Sequence, residues 1–254
     1  MVWPLAQEDR AGCGLTSRSN RIATACVTRA SLHSGPAAAR GRMPVRTTFD
    51  RTTAEMPTEP LSSLHDCLTS QNAARSHLAR ITEVRALCER SPHCLAVALV
   101  GSFAQGKGDR ISDLDLAAFV EEGHEVEFMA QAHEFLGRSE LLNVYGEDRP
   151  GQVAFRKYVY LDFSSCEFHA FSHLAPFKLR PPFLAVWNPH DHLETLIVNE
   201  APPRHEVFEP YPHGDAGLIW ELVDCIKWLN RGREPLAKSY LIRLANALKA
   251  QDAA

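Results

Sequence analysis

Two short apolar segments, each joined to polar residues, constrain the fold of this 254-residue chain more than any other feature. Residues 95–100 are wholly apolar and end at Gly101, and residues 114–119 are apolar except for Asp115. The first segment predicts a buried strand, and the second predicts another short strand. The longest apolar run is seven residues, whereas a bilayer-spanning helix needs about 20. We therefore expect no transmembrane helix and no membrane partner.

The rest of the chain predicts mainly strands first and helices last. Apolar residues recur every three to four positions in residues 62–90 and indicate a helix that ends at Ser91-Pro92. The other predicted elements, in chain order, are a helix at 125–138, strands at 141–145, 153–160 and 164–171, an irregular Pro-rich segment at 176–189, a short helix at 192–198, and helices at 218–229 and 236–248. This order predicts an α+β fold, in which a mixed β-sheet domain with flanking helices precedes a C-terminal helical domain.

Residues 1–60 differ in composition from the remainder. They contain eight Arg, no Lys and five acids, and only eight residues are Leu, Ile, Val or Phe. So few large apolar residues predict a disordered or non-native N-terminal extension. A start of the natural chain at Met43 or Met56 is compatible with that interpretation, and an Arg-rich transit peptide is an alternative.

Charge and cysteine content narrow the choice of partner and compartment. Residues 61–254 carry 19 basic and 26 acidic residues, a net charge of −7, which argues against a nucleic-acid partner. The seven cysteines are odd in number and scattered, without a C-x-x-C pair. This pattern argues against a disulfide scaffold or a thiolate zinc site and predicts a reducing, cytoplasmic location.

The segment between the two apolar strands allows a phosphate-loop interpretation. Residues 101–107 fit G-x-x-x-x-G-K, but Gly108 stands where Ser or Thr should offer a hydroxyl to Mg²⁺. The residues that follow predict a loop and a strand instead of the long helix that a phosphate loop opens. We therefore disfavour this interpretation.

The acidic pair Asp113 and Asp115 supports a different chemistry. Side chains two apart on a strand point to the same face, and two adjacent carboxylates favour bound cations. Two Mg²⁺ ions held in this way can clamp the attacking and leaving oxygens of a phosphoryl displacement. Gly101 allows close approach of the backbone to a ligand, and Ser102 offers a hydroxyl and an N–H to a phosphate. The alternative is a strand end with solvated aspartates.

Gly-Ser, a spacer and Asp-x-Asp together resemble the nucleotidyltransferase superfamily, which has the fold of DNA polymerase β. Over about residues 75–250 the chain is most similar to the lincosamide nucleotidyltransferases. The matching positions are Gly101-Ser102-Phe103, Gly106, Gly108-Asp109, Ser112-Asp113-Leu114-Asp115, Asn143-Val144-Tyr145-Gly146, Glu167-Phe168-His169-Ala170-Phe171, and the turn at 228–234.

The resemblance implies roles for individual residues. Asp113 and Asp115 would be catalytic ligands of Mg²⁺, and Gly101 and Ser102 would hold the nucleoside triphosphate. Glu167 matches the general base, with Asp162 as a rival carboxylate in an apparent hairpin turn.

Further candidates lie close to these motifs. Lys107 and Ser112 complete the predicted nucleotide site, although Lys107 also fits a solvated loop. His169 follows Glu167 by two residues and either orients that carboxylate or has a structural role.

We therefore expect a nucleotidyltransferase catalytic domain at 61–185 and a C-terminal helical domain at 186–254, truncated relative to the related proteins. The predicted reaction moves a nucleoside monophosphate, AMP from ATP or that of another nucleoside triphosphate, to a hydroxyl of a small molecule, such as a lincosamide or aminoglycoside in antibiotic resistance. A homodimer contact through the C-terminal helices is also expected. The alternatives are a non-catalytic binding protein of the toxin–antitoxin type and an enzyme that nucleotidylates a protein or RNA.

Overall fold

A computed structural model describes residues 61–138, 140–200 and 209–252 of the chain. The predictions for residues 1–60 lie outside the described residues. The described elements, in chain order, are α1 (Leu61–Ser70), α2 (Arg75–Arg90), β1 (Cys94–Val100), α3 (Gly101–Ala104), β2 (Asp113–Val120), α4 (Glu125–Leu136), β3 (Leu141–Arg149), β4 (Val153–Tyr160), β5 (Ser165–Ser172), β6 (Leu184–Trp187), a 3₁₀ helix (His192–Leu196), α5 (Gly214–Asn230) and α6 (Glu234–Asp252).

The strands form one six-stranded sheet in the order β3-β4-β5-β2-β1-β6. β2 and β5 pair in parallel, and the other neighbours are antiparallel. The four central strands are buried along most of their length. The mixed sheet, flanking helices and C-terminal helices confirm the predicted α+β fold class.

One face of the sheet packs on α2 and α4 and holds the larger apolar core. Ile81 and Val84 from α2 and Phe128 and Met129 from α4 are buried in it, together with side chains from β1, β2, β4 and β5. Ile81 and Val84 are three residues apart, and Phe128 and Met129 recur at spacings of three and four residues with the buried Ala132 and Leu136, so each helix presents one apolar face to the sheet. A separate cluster centred on Cys225, Trp228, Ala237, Tyr240 and Leu244 joins α5 to α6.

The predicted helix at 62–90 is two helices in the structure. Asn72 adopts a left-handed conformation, with φ of 57°, which interrupts the helical path. Gln71 points toward the segment after β1, where its Nε2 donates to the Phe103 carbonyl at 3.0 Å and its Oε1 accepts from the Gly108 N–H at 2.7 Å. The helix is interrupted where Gln71 makes these contacts with a distant segment. The periodicity of apolar residues cannot predict them.

The Pro-rich segment at 176–189 is not irregular throughout. It includes β6, a four-residue edge strand that pairs with β1. Prolines flank this strand without entering it, which is where a sheet tolerates them. The predicted domain boundary between 185 and 186 falls inside β6.

Within the described residues, no helix has both the length and the apolar character that crossing a bilayer requires.

Candidate active site

The parallel pairing of β2 with β5 brings the predicted acids together. Asp115 lies opposite Glu167, and Asp113 lies opposite Ser165. Because residues two apart on a strand share a face, all three carboxylates lie on one face of the sheet. Asp115 is 6% exposed and Glu167 1%, so this acidic group is largely removed from bulk water.

Two buried lysines balance these carboxylates. Lys157 lies opposite Glu167 on β4, and its Nζ is 3.2 Å from Glu167 Oε2. Lys227 reaches in from α5, where its Nζ donates to Asp113 Oδ1 and, at 2.7 Å, to Ser165 Oγ. The ring of Trp220 packs against both ammonium groups, at 4.6 Å from Lys157 Nζ and 5.3 Å from Lys227 Nζ. The Trp220 ring therefore stabilises both lysines by cation–π attraction.

The three carboxylates differ in their electrostatic surroundings. Burial, reinforced by the nearby carboxylates of Asp113 and Glu167, raises the pKa of Asp115 to about 7. Burial also acts on Asp113, but the charge and hydrogen bond of Lys227 outweigh it and hold its pKa at about 2. Against burial, the charge of Lys157 and the hydrogen bond with His169 keep the pKa of Glu167 well below its usual range. A cation near Asp115 would relieve the repulsion that these neighbours create.

Gly101 closes the site at the end of β1. Its φ is +71°, in the left-handed region that favours glycine. A Cβ built at this position would lie 1.8 Å from Asp115 Oδ2. The backbone of the Gly-Ser motif thus lies directly against the acidic pair, and no other residue type fits there without displacing the carboxylate. Ser102 follows at once and is partly buried.

The segment from Gly101 to β2 is held by contacts from distant elements. The Arg231 guanidinium donates to both Asp109 oxygens, at 2.7 and 2.8 Å, and at 3.0 Å to Ser112 Oγ. Ser112 Oγ in turn donates to Asp109 Oδ1 at 2.9 Å and accepts from the Asp109 N–H at 3.0 Å. The buried Ser112 hydroxyl is thus engaged within this network, whereas Lys107 is exposed on the segment.

Asp162, the rival to Glu167, lies in the turn between β4 and β5. Its carboxylate accepts from the Ser164 N–H at 2.8 Å and from Ser76 Oγ at 3.3 Å. The bond from the Ser164 N–H is the local bond expected of an Asp in a turn, and the bond from Ser76 ties the turn to α2. His169 lies beside Glu167, with Nε2 2.8 Å from Glu167 Oε1. The geometry therefore favours Glu167 as the third carboxylate of the site.

Several residues of the site were not singled out by the sequence analysis. These residues are Asp224, Lys227 and Arg231. Asp224 Oδ1 lies 3.8 Å from Lys227 Nζ. Asp224 and Lys227 lie three residues apart on one face of α5, and Arg231, the residue that follows the helix, is four residues further on the same side. A charged stripe on an otherwise apolar helix was the available signal for them.

Two carboxylates of the site suit Mg²⁺, but the acids of the site do not form one compact group of ligands. Among the described residues, the one group of three or more His, Cys, Asp or Glu side chains with ligand atoms all within 4.8 Å lies elsewhere, at His93, Glu121 and His124. The acids of this site are therefore more widely spaced. Mg²⁺ commonly takes one or two carboxylates and completes its coordination with water and substrate phosphates. Asp113 and Asp115 suit that arrangement.

Comparison with known proteins supports the same class. Residues 83–154 match the family model described as a nucleotidyltransferase domain. This range includes Gly101, Ser102, Asp113 and Asp115 and ends before Glu167. Over these residues the chain is similar to a nucleotidyltransferase domain, which supports the predicted superfamily and enzyme class. The finer resemblance to lincosamide nucleotidyltransferases stays a prediction, and no curated protein matches the chain significantly.

Solved structures with partial similarity include a cytoplasmic RNA terminal U-transferase, at 17% identity over 45% of this chain and 37% of that one, with a TM-score of 0.30. The Cid1 RNA terminal uridylyl transferase is similar at 16% identity over 45% and 36%, with a TM-score of 0.31. A Cid1 poly(U) polymerase structure with Mg and 3′-dATP is similar at 20% identity over 45% and 37%, with a TM-score of 0.29. The chain matches little more than a third of the length of these proteins.

Proposed function

We propose that the protein is a Mg²⁺-dependent nucleotidyltransferase that transfers AMP from ATP to a hydroxyl group of a small molecule. The observation that carries this proposal is the register of β2 and β5, which sets Asp115 opposite Glu167 with Asp113 on the same face. The contact of Gly101 with Asp115 adds a close backbone approach at the same place. A strand end with solvated aspartates would not need buried acids balanced by buried lysines.

The proposed step exchanges one bond at the α-phosphorus for another. The acceptor oxygen forms a bond to the α-phosphorus, and the bond from that phosphorus to the bridging oxygen of pyrophosphate breaks. The hydroxyl proton passes to Glu167, which Lys157 keeps ionised. His169 orients the Glu167 carboxylate through its hydrogen bond.

Positioning of charge supplies most of the proposed rate. Asp113 and Asp115 would hold Mg²⁺, which when bound neutralises the triphosphate and the developing charge on the attacking and leaving oxygens. Lys227 fixes the orientation of Asp113 and keeps it ionised. Gly101 and Ser102 would lie along the triphosphate, and the exposed Lys107 is placed to meet its outer oxygens.

The test is pyrophosphate release with Mg²⁺, each of the four ribonucleoside triphosphates and a panel of acceptors. The panel contains lincosamides, aminoglycosides and a short RNA, because an enzyme that nucleotidylates RNA is the alternative to be tested. Asp115→Asn is the inactive variant, and Asp148→Asn is the matched control, because Asp148 forms an ion pair with Arg156 outside this acidic group.

The proposal predicts release that depends on a small-molecule acceptor, disappears in Asp115→Asn and persists in Asp148→Asn. Release that depends on RNA alone would keep the chemistry and overturn the small-molecule acceptor. Nucleotide binding without release under any condition would overturn the enzymatic proposal in favour of a binding protein.

A further inference from the structure

A second cluster of polar side chains lies at the opposite end of β2 from the acidic pair. His93 precedes β1, Glu121 follows β2 and His124 precedes α4. The Glu121 N–H donates to the His93 carbonyl at 3.0 Å, and the His124 N–H donates to the Glu121 carbonyl at 3.2 Å. Backbone hydrogen bonds therefore fix the three residues relative to one another before any ligand binds.

The side chains of these residues converge as well. His93 Nδ1 lies 2.7 Å from Glu121 Oε2, and the rings of His93 and His124 stack with centroids 3.5 Å apart. One ligand atom from each residue lies within 4.8 Å of the others, and this is the one such group among the residues that the structure describes. The His93 side chain is 37% exposed and the Glu121 side chain 50%, so an ion can reach the cluster from solvent.

The ligand types at this place select a class of metal. Neutral imidazole nitrogens suit zinc and its transition-metal neighbours, and a carboxylate oxygen is a common third ligand of such ions. Mg²⁺ prefers oxygen ligands alone. Glu127 adds another carboxylate at the edge of the cluster, with Oε2 3.4 Å from His124 Nδ1.

The cluster is separate from the candidate active site. Asp115 and Glu121 are six residues apart along an extended strand, which corresponds to about 20 Å at roughly 3.3 Å per residue. A metal at one end of β2 therefore does not share ligands with a metal at the other end.

We propose that His93, Glu121 and His124 form a binding site for one divalent transition-metal ion, with Zn²⁺ as the representative. Water or the Glu127 carboxylate completes the coordination. The rings of His93 and His124 stack nearly parallel, so side-chain rotation out of this stack directs a nitrogen of each toward the ion. The bound ion links the start of β1, the end of β2 and the start of α4, and thus stabilises the folded chain.

The test is a Zn²⁺ titration of the tag-free full chain against a chromophoric competitor, with millimolar Mg²⁺ present to occupy oxygen-only sites. The variants His93→Gln and His124→Gln each remove one of three protein ligands. Loss of an outer hydrogen-bonding partner alone costs about 10- to 100-fold in metal affinity, so we expect a loss of at least that size in each variant. His190→Gln, which changes an exposed histidine in another segment, is the matched control and should bind Zn²⁺ like the wild type.

A second readout keeps the test independent of folding defects. Zn²⁺ should raise the Tm of the wild type and of His190→Gln but not that of the double variant His93→Gln/His124→Gln, and Glu121→Gln should lie between them. The proposal is overturned if the wild type binds no Zn²⁺ in the presence of Mg²⁺. It is equally overturned if the double variant, with a wild-type circular dichroism spectrum, keeps wild-type affinity.

Discussion

Asp115 on β2 and Glu167 on β5 are direct neighbours across the parallel strand pair, although they are far apart in the sequence. Both carboxylates are buried, and their proximity contributes to the raised pKa of Asp115. Lys157 partners Glu167, and Lys227 partners Asp113. The fold thus builds a buried acidic face with lysines at its two sides, an arrangement that favours the entry of further positive charge near Asp115.

Gly101 provides the sharpest test of how closely the backbone must approach this face. In Gly101→Ala, the new Cβ would meet Asp115 Oδ2 at 1.8 Å, so the carboxylate must move. Gly106→Ala is the matched control, because Gly106 has nearly the same φ of +70° and nothing within 4 Å of a Cβ. Both variants carry the cost of a left-handed alanine, about 1–2 kcal/mol by urea unfolding.

Only Gly101→Ala should also lose pyrophosphate release. Equal activity of the two alanine variants, at the same nucleotide concentration, would show that the contact between Gly101 and Asp115 does not matter for function.

Lys227 should act as the intrinsic counter-charge of Asp113. In Lys227→Met the partly buried Asp113 carboxylate loses its cationic partner. Breaking a fully buried pair costs about 3–5 kcal/mol, so we expect a smaller loss of stability here, of about 2 kcal/mol. Added Mg²⁺ should then raise the Tm of Lys227→Met more than that of the wild type, because the ion replaces the missing charge. Thermal unfolding with and without Mg²⁺ measures this difference.

The control for Lys227→Met is Lys238→Met, which removes an exposed lysine of α6. This control should respond to Mg²⁺ like the wild type. The same Mg²⁺ response in all three proteins would contradict the placement of a metal beside Asp113.

The local part of this architecture could be predicted from the sequence. The apolar runs gave β1 and β2 to within a residue, and strand geometry alone puts Asp113 and Asp115 on one face. The register that sets Glu167 beside Asp115 depends on pairing between distant strands, which periodicity does not encode. Here the resemblance to known nucleotidyltransferases supplied the candidate.

The remaining features depend on contacts over long sequence separations. Lys227 reaches Asp113 from a helix more than 100 residues later, and Gln71 turns away from α1 to bond the segment after β1. The sequence analysis did not predict β6, because this edge strand has only four residues and lies between prolines. Such contacts are decided by packing, so composition and local patterns do not reveal them.

The buried side chain of His77 should lower the free energy of unfolding in acid. Burial lowers the pKa of this histidine to about 4, with its Nδ1 accepting from the Ala74 N–H at 3.0 Å. Between about pH 6.5 and 4 the unfolded chain binds a proton that the folded chain does not. Stability from this group is therefore full above pH 6.5 and falls as the pH drops, by about 2 kcal/mol between pH 7 and 5.

Urea unfolding at pH 7 and pH 5 measures this change. His77→Gln should reduce the difference between the two pH values by about that amount, whereas His190→Gln should keep it. An undiminished difference in His77→Gln would assign the acid sensitivity to other groups.

The central claim is that Asp115 and Glu167 divide metal binding and proton removal between them. The most direct test makes three measurements on the wild type, Asp115→Asn and Glu167→Gln. They are the rate of acceptor-dependent pyrophosphate release, the affinity for Mn²⁺ and the affinity for nucleotide. We expect Glu167→Gln to keep metal and nucleotide binding and to lose about 100- to 10,000-fold in rate, the usual contribution of a general base. Asp115→Asn should lose both metal binding and turnover. Wild-type turnover in either variant would contradict the account.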